Sequence, residues 1–371
     1  MPARLALCLA LLGGCRSDQA GRDAAPRASA STATSALASA SPAPASASAS
    51  ASASASAAAS SELVLPGASG RWSGTDGDVS APMTALWSSR DLVVAVGSGV
   101  VLRSPDRGEH WKSALEPNSD FRALSVWGSS PDDVYVGGNY ALLHSTDGAR
   151  TFEPLGEPMA DVCGLWGSGL NDVYAVVLGR RVRHSNDRGR TWQKLGNDPA
   201  LRACAIAGTG ANDVWLGGHA GTGYETTAAL AHTTDGGKTW KRASVATTGD
   251  KTEGIAGLCF TASGTLVAAY ARGVWGTTDG ARTWRRLLDV PSRTSAVACR
   301  GRTIVVTVHG GALRRSTDEG ATWSADELAG SFDPSASIGL PALFVGDGGE
   351  TYAGGESAKR PAAGSLLRRA P

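Results

Sequence analysis

STDEGATW, residues 316–323, is the last of six copies of one octapeptide. The others are SPDRGEHW (104–111), STDGARTF (145–152), SNDRGRTW (185–192), TTDGGKTW (233–240) and TTDGARTW (277–284). Their aspartates, Asp106, Asp147, Asp187, Asp235, Asp279 and Asp318, follow one another at intervals of 41, 40, 48, 44 and 39 residues. Repetition at that period marks one supersecondary unit copied along the chain. The chemistry of each copy is that of a turn. A Ser or Thr and an Asp two residues apart can hydrogen-bond nearby backbone N–H groups, and glycine accepts the left-handed conformation. The closing aromatic, Trp111, Phe152, Trp192, Trp240, Trp284 or Trp323, anchors the turn in apolar packing. Ala149 and Ala281 stand at the glycine position of the second and fifth copies, so less regular turns are expected there.

Working outward, the flanking residues supply four short strands per copy. In the second unit ALSVWG (123–128), VYVGG (134–138), ALLH (141–144) and FEPL (152–155) alternate with turn residues, and the third unit repeats the order. Four strands in about 40 residues describe a propeller blade. Six blades are expected to begin near Met83, Ala123, Val162, Ala203, Ile255 and Ser295. ALFVGD (342–347), TYAGG (351–355) and SLLRR (365–369) offer three strands of a seventh blade, and the fourth is expected from the other end of the chain, near Gly70-Arg71-Trp72-Ser73. The expected fold is therefore all-β: a seven-bladed propeller of four antiparallel strands per blade, closed by N- and C-terminal strands so that no sheet edge is left open. Six blades with loose ends is the alternative.

The pattern S-x-D-x-G-x-T-W resembles the Asp-box, or BNR repeat, of sialidases, xyloglucanases, sortilin-type receptors and the photosystem II assembly-factor propellers. The resemblance spans most of the chain after residue 80. It implies an architectural role for the six box aspartates and their aromatics, with none of them catalytic. The chain looks most like the assembly-factor propellers, which are single propellers without catalytic residues; nothing in these residues implies a photosynthetic partner. A sialidase of this superfamily would carry an F/Y-R-I-P signature, but Phe121-Arg122-Ala123-Leu124 lacks the Ile and the Pro.

Residues 1–15, MPARLALCLALLGGC, combine Arg4, an apolar run too short to span a bilayer, and a cysteine, as a secretion signal does. Leu12-Gly13-Gly14-Cys15 resembles a bacterial lipobox, which implies lipid attachment at Cys15. Arg16 after that cysteine favours the outer membrane of a Gram-negative envelope, by analogy with the sorting of that class. Residues 16–62 are nearly all Ala and Ser and read as a disordered tether, with the propeller occupying 63–371.

Composition narrows the function classes. The chain of 371 residues is 42% hydrophobic and 19% charged, with 48 Gly, 11 Trp and 3 Met, closer to an all-β than to a helical protein. Its net charge of +1 calls for neither nucleic acid nor an anionic membrane surface, although Arg180, Arg181 and Arg183 form a basic cluster. Membrane association is expected through the N-terminal lipid only, and the protein is expected to be a monomer.

Cys163, Cys204, Cys259 and Cys299 fall on the first strands of four blades. Neighbouring first strands are expected to stand farther apart than the roughly 7 Å that a bridge allows, which favours buried thiols over disulfides. His144, His184 and His232 each precede a box and would ring one face rather than converge, so no metal site and no cofactor is expected. Trp87, Trp127 and Trp166 read as packing residues, with a sugar-stacking platform as the other reading; Tyr135 and Tyr174 read as core. GGHAGTGYETTAAL (217–230) lengthens the fourth repeat and reads as a surface loop whose His219, Tyr224 and Glu225 are candidate recognition residues. The functional reading is a non-catalytic envelope lipoprotein whose propeller binds a protein or glycan. A glycoside hydrolase of sialidase or xyloglucanase type, and a purely structural envelope component, are the alternatives.

Overall fold

The fold is a closed ring of seven β-sheets. In the computed structural model the described residues are 63–64, 72–79, 81–115, 120–156, 159–178, 181–195, 201–222, 225–246, 254–309, 312–326, 341–356 and 364–371. The leader, Cys15 and the tether lie outside them, as does Tyr224. The first strands of blades one to seven are Met83–Ser89, Ala123–Ser130, Val162–Gly169, Arg202–Gly210, Ile255–Phe260, Thr294–Arg300 and Ala342–Val345, close to the starts read from the sequence. Each first strand contacts the next around the ring, and that of blade seven returns to Met83–Ser89. The first strands are therefore innermost, and the second, third and fourth follow outward.

Closure follows the expected route. Trp72–Val79 pairs antiparallel with Gly364–Arg369, beginning at Trp72 opposite Arg369, and so becomes the outer strand of blade seven. A feature not read from the sequence is Leu63–Val64, which adds a fifth strand to blade one by pairing with Trp111 and His110. The N-terminal segment thus contributes strands on both sides of the seam. Side chains cross it too: the Arg107 guanidinium stands 3.4 Å from the Glu350 carboxylate, and the Tyr352 hydroxyl donates to the Arg107 carbonyl at 3.2 Å.

Apolar packing lies between successive sheets. Trp87, Val94 and Val96 of blade one meet Ala123, Val134 and Val136 of blade two, and comparable clusters fill the other interfaces described. Tyr135 and Tyr174 are fully buried, in agreement with their reading as core. In six blades the first strand carries one extra residue soon after its start, at Thr84, Leu124, Cys163, Cys204, Ala256 and Ser295. Such bulges bend a strand and raise its twist, which suits the innermost strand of a ring.

Two expectations are corrected. Cys163 is bonded to Cys204 and Cys259 to Cys299, with Cα separations of 5.2 and 5.6 Å. The estimate of wider spacing failed because first strands converge on the ring axis, where neighbouring backbones come close enough to bridge. Residues 217–222 and 225–230 are also not a loop. They extend the hairpin Asp213–Thr222/Glu225–Thr233, which stays in register from Val214 opposite Thr233 to Thr222 opposite Glu225.

Candidate functional site

Because the strands of a blade are antiparallel, turns between strands one and two share one face of the ring with turns between three and four. The remaining connections share the other face. All six octapeptides therefore lie on one face, and the Thr222/Glu225 end of the blade-four hairpin lies on the opposite face.

On the octapeptide face the local chemistry repeats. In the copy at 233–240 the Thr233 hydroxyl donates to Asp235 Oδ1 at 2.7 Å and accepts the Gly237 N–H at 2.9 Å. Asp235 also accepts the Thr239 N–H and hydroxyl at 2.9 and 2.6 Å. These donors, Thr239 foremost, hold the Asp235 carboxyl down at about 2, and the hydrogen bonds from Thr191, Thr283 and Thr322 do the same for Asp187, Asp279 and Asp318. In the first copy partial burial of Asp106 opposes the shift, but the bonds from Ser104 and His110 outweigh it and the value is again about 2. Asp147 is lowered as well. Each aspartate is committed to its own turn, so none is poised to exchange protons near neutrality.

The turns of the second and fifth copies are as regular as the others, contrary to expectation. Two successive residues are left-handed in every copy: Arg107/Gly108, Gly148/Ala149, Arg188/Gly189, Gly236/Gly237, Gly280/Ala281 and Glu319/Gly320. Where alanine takes the second position, glycine takes the first. The Ala149 and Ala281 N–H groups still donate to Ser145 and Thr277, at 3.0 and 3.2 Å.

The three box-preceding histidines have specific partners that sequence reasoning missed. His144, His184 and His232 place Nε2 at 2.9, 2.6 and 2.5 Å from Asp133, Asp172 and Asp213, each at the start of a second strand. The rings stack on Tyr135, Tyr174 and Trp215. Ser129, Ser168 and Thr209 donate to the other carboxylate oxygens. The repeated S/T-x-x-x-D of the first turn was the available signal. These sets are not hydrolytic triads: in a triad histidine stands between hydroxyl and carboxylate, whereas here the carboxylate stands between histidine and hydroxyl. Asp133, 1% exposed, additionally holds Arg188 of blade three at 2.7 Å. Burial alone would raise its carboxyl, but His144, Ser129 and Arg188 bring it below the ordinary value. Among the described residues no group of three or more His, Cys, Asp or Glu could hold a metal ion.

The opposite face carries the candidate recognition features. Among the described residues the last pair of the blade-four hairpin with the first strand is Arg202 with His219. Among the described residues its last pair with the fourth strand is Leu230 with Ala243. The pairs from Ala220/Thr227 to Thr222/Glu225 therefore form a two-stranded arm. His219 is half-buried at its base, where a Cβ on Gly254 would meet the His219 Cβ at 3.2 Å. Glu225 starts the return strand. Tyr140 and Leu178, in the turns between second and third strands of blades two and three, are exposed on this same face, Tyr140 at 72%. Trp87, Trp127 and Trp166 sit instead between blades, each over a glycine of the next blade. The seven first strands contain no Asp or Glu, so they do not supply the facing carboxylates that glycoside hydrolysis requires.

No protein-family model matches the chain, and no curated protein matches it. Among solved structures the fold is similar to YCF48 bound to a D1 peptide, at TM-score 0.64 and 17% identity, covering 83% of this chain and 100% of that one. YCF48 from Cyanidioschyzon merolae gives TM-score 0.60 and 18% identity over 81% and 98% of the two chains. An ancestral GH74 enzyme gives 0.55 and 15% over 80% of this chain; the match spans about half of the enzyme, 47%. At these identities the likeness is one of fold.

Proposed function

We propose that this chain is a non-catalytic propeller of the Asp-box kind that binds a protein segment through the face opposite its octapeptide turns. The observation carrying this reading is the two-stranded arm of blade four, which rises where no fold requirement extends a hairpin and shares its face with exposed Tyr140 and Leu178. The absence of acidic residues from the seven first strands argues in the same direction. So does the similarity in fold to YCF48, which has been solved with a D1 peptide bound. His219 at the base of the arm and Glu225 at its return are the proposed contact residues, with Tyr224 between them in sequence. We further propose, from the lipobox resemblance, that Cys15 carries lipid and that residues 16–62 tether the propeller to the outer membrane.

Immobilised protein incubated with envelope extract should retain a partner that a variant lacking residues 219–227 does not, while the variant keeps its far-UV spectrum. Equal capture by the variant would refute the arm as the binding element, and turnover of a xyloglucan or sialoside substrate would refute the non-catalytic reading. Cys15→Ser should release the protein from membranes; continued membrane association would refute the anchor.

A further inference from the structure

The two disulfides differ in how they meet solvent. Cys163 and Cys204 are themselves the extra residues of the bulges in blades three and four, lying between Val162 and Gly164 and between Ala203 and Ala205. A bulged residue leaves the ladder and its side chain is re-aimed. Both bulges lie at the start of first strands, on the face of the blade-four arm. Cys204 is exposed, whereas Cys163 is half-buried against the cluster of Val176, Leu201 and Leu216. Cys259 and Cys299, each half-buried, instead sit in unbroken ladder opposite the fully buried Val267 and Ile304 and pack on the apolar cluster those residues form.

We propose that the Cys163–Cys204 disulfide is a thiol-exchange site that takes a dithiol, and that Cys259–Cys299 is a fixed cross-link. Exchange requires in-line access of a thiolate to one sulfur, and Cys204 is the exposed member of the pair. Arg202, two residues earlier, is exposed at the same strand end. One thiolate of the dithiol attacks Cys204 Sγ. The Cys163–Cys204 bond breaks with its electron pair on Cys163 Sγ, which takes a proton. The second thiol, deprotonated, attacks the mixed disulfide and releases Cys204 as thiolate. The dithiol is oxidised by two electrons to its disulfide, and the protein cystine is reduced to two thiols. The backbone ladders of blades three and four do not depend on the bridge, so exchange unclasps the two blades at the foot of the arm while each blade keeps its sheet.

The test uses the full chain without denaturant. Protein is equilibrated with graded dithiothreitol, quenched with iodoacetamide, and each cysteine peptide is quantified by mass spectrometry alongside far-UV circular dichroism. Cys163 and Cys204 should be alkylated at a dithiothreitol concentration at least tenfold below that needed for Cys259 and Cys299, with the spectrum unchanged. Alkylation of both pairs together, of Cys259 and Cys299 first, or only with loss of the spectrum would overturn the proposal. In Cys163→Ser, one thiol more than in the wild type, that of Cys204, should react with Ellman's reagent in the folded protein. An unreactive Cys204 there would also overturn it, and the wild-type titration decides if that variant does not fold.

Discussion

The bridge from Cys259 to Cys299 makes the same step between neighbouring first strands as the contact of Trp127 with Gly167. Counted from the paired residue just before the bulge, Cys259 is fifth and Cys299 sixth in the next strand. Trp127 is likewise fifth and Gly167 sixth, as are Trp87 and Gly128, and Trp166 and Gly208. A large aromatic over a glycine fills this step from blade one to blade four, and a covalent bond fills it from blade five to blade six. Both solutions answer the close approach of backbones around the axis.

That step makes Gly167 intolerant of a side chain. A Cβ there would lie 2.2 Å from the Asp172 carbonyl and 2.5 Å from the Trp127 ring, whereas a Cβ on Gly169 would meet nothing within 4 Å. Gly167→Ala should cost about 2–3 kcal/mol through overpacking, and Gly169→Ala should leave the denaturation midpoint nearly unmoved. Equal midpoints for the two variants would contradict the packing described.

Removing the fixed cross-link should cost more. Cys259→Ser/Cys299→Ser opens a loop of 40 residues' separation, worth roughly 4 kcal/mol by loop-closure entropy. Urea denaturation of the double variant against wild type measures it; a loss below about 1 kcal/mol would show that the unfolded chain is not constrained by this bond.

Asp133 and Asp213 occupy equivalent positions but should differ in weight. Asp133 is 1% exposed and serves His144, Ser129 and the Arg188 of the next blade, while the Asp213 side chain is 42% exposed. Asp133→Asn leaves Arg188 and His144 without their anion at a buried site and should cost about 3 kcal/mol. Asp213→Asn should cost under about 1 kcal/mol. Thermal melts of the two variants compare them directly.

Acid should act through the octapeptides. Five of their aspartates are held at about 2 against an ordinary 3.8. A carboxyl whose folded value is depressed adds stability that is complete above the unfolded value and disappears as pH falls toward the folded one. The melting temperature should therefore fall steeply between 3.8 and about 2, and Asp235→Asn should flatten part of that fall. A melting temperature that stays constant or rises over this interval would break the link.

Much of the ring was legible because its information is local. Each octapeptide closes on itself through bonds spanning at most four residues, as Ser316 to Asp318 and Asp318 to Thr322 illustrate. Six such turns at a steady period mark the blades, and the leftover strands at 342–369 require a partner strand from the N-terminal side. The compensation between Gly148 and Ala149 was also present in the letters but needed backbone angles to be noticed, because only the structure shows both positions left-handed.

What the amino-acid order determined by itself was thus the turn and the blade, since these depend on hydrogen bonds and apolar alternation within about forty residues, whereas the choice between six and seven blades was made by the pairing of Trp72–Val79 with Gly364–Arg369. Tertiary structure alone decided which residues meet across blades: the sulfur pairs, Arg188 on Asp133, and the base of the blade-four arm. Those contacts depend on how tightly seven sheets close around one axis, a distance set by all of the blades together and written in none of them.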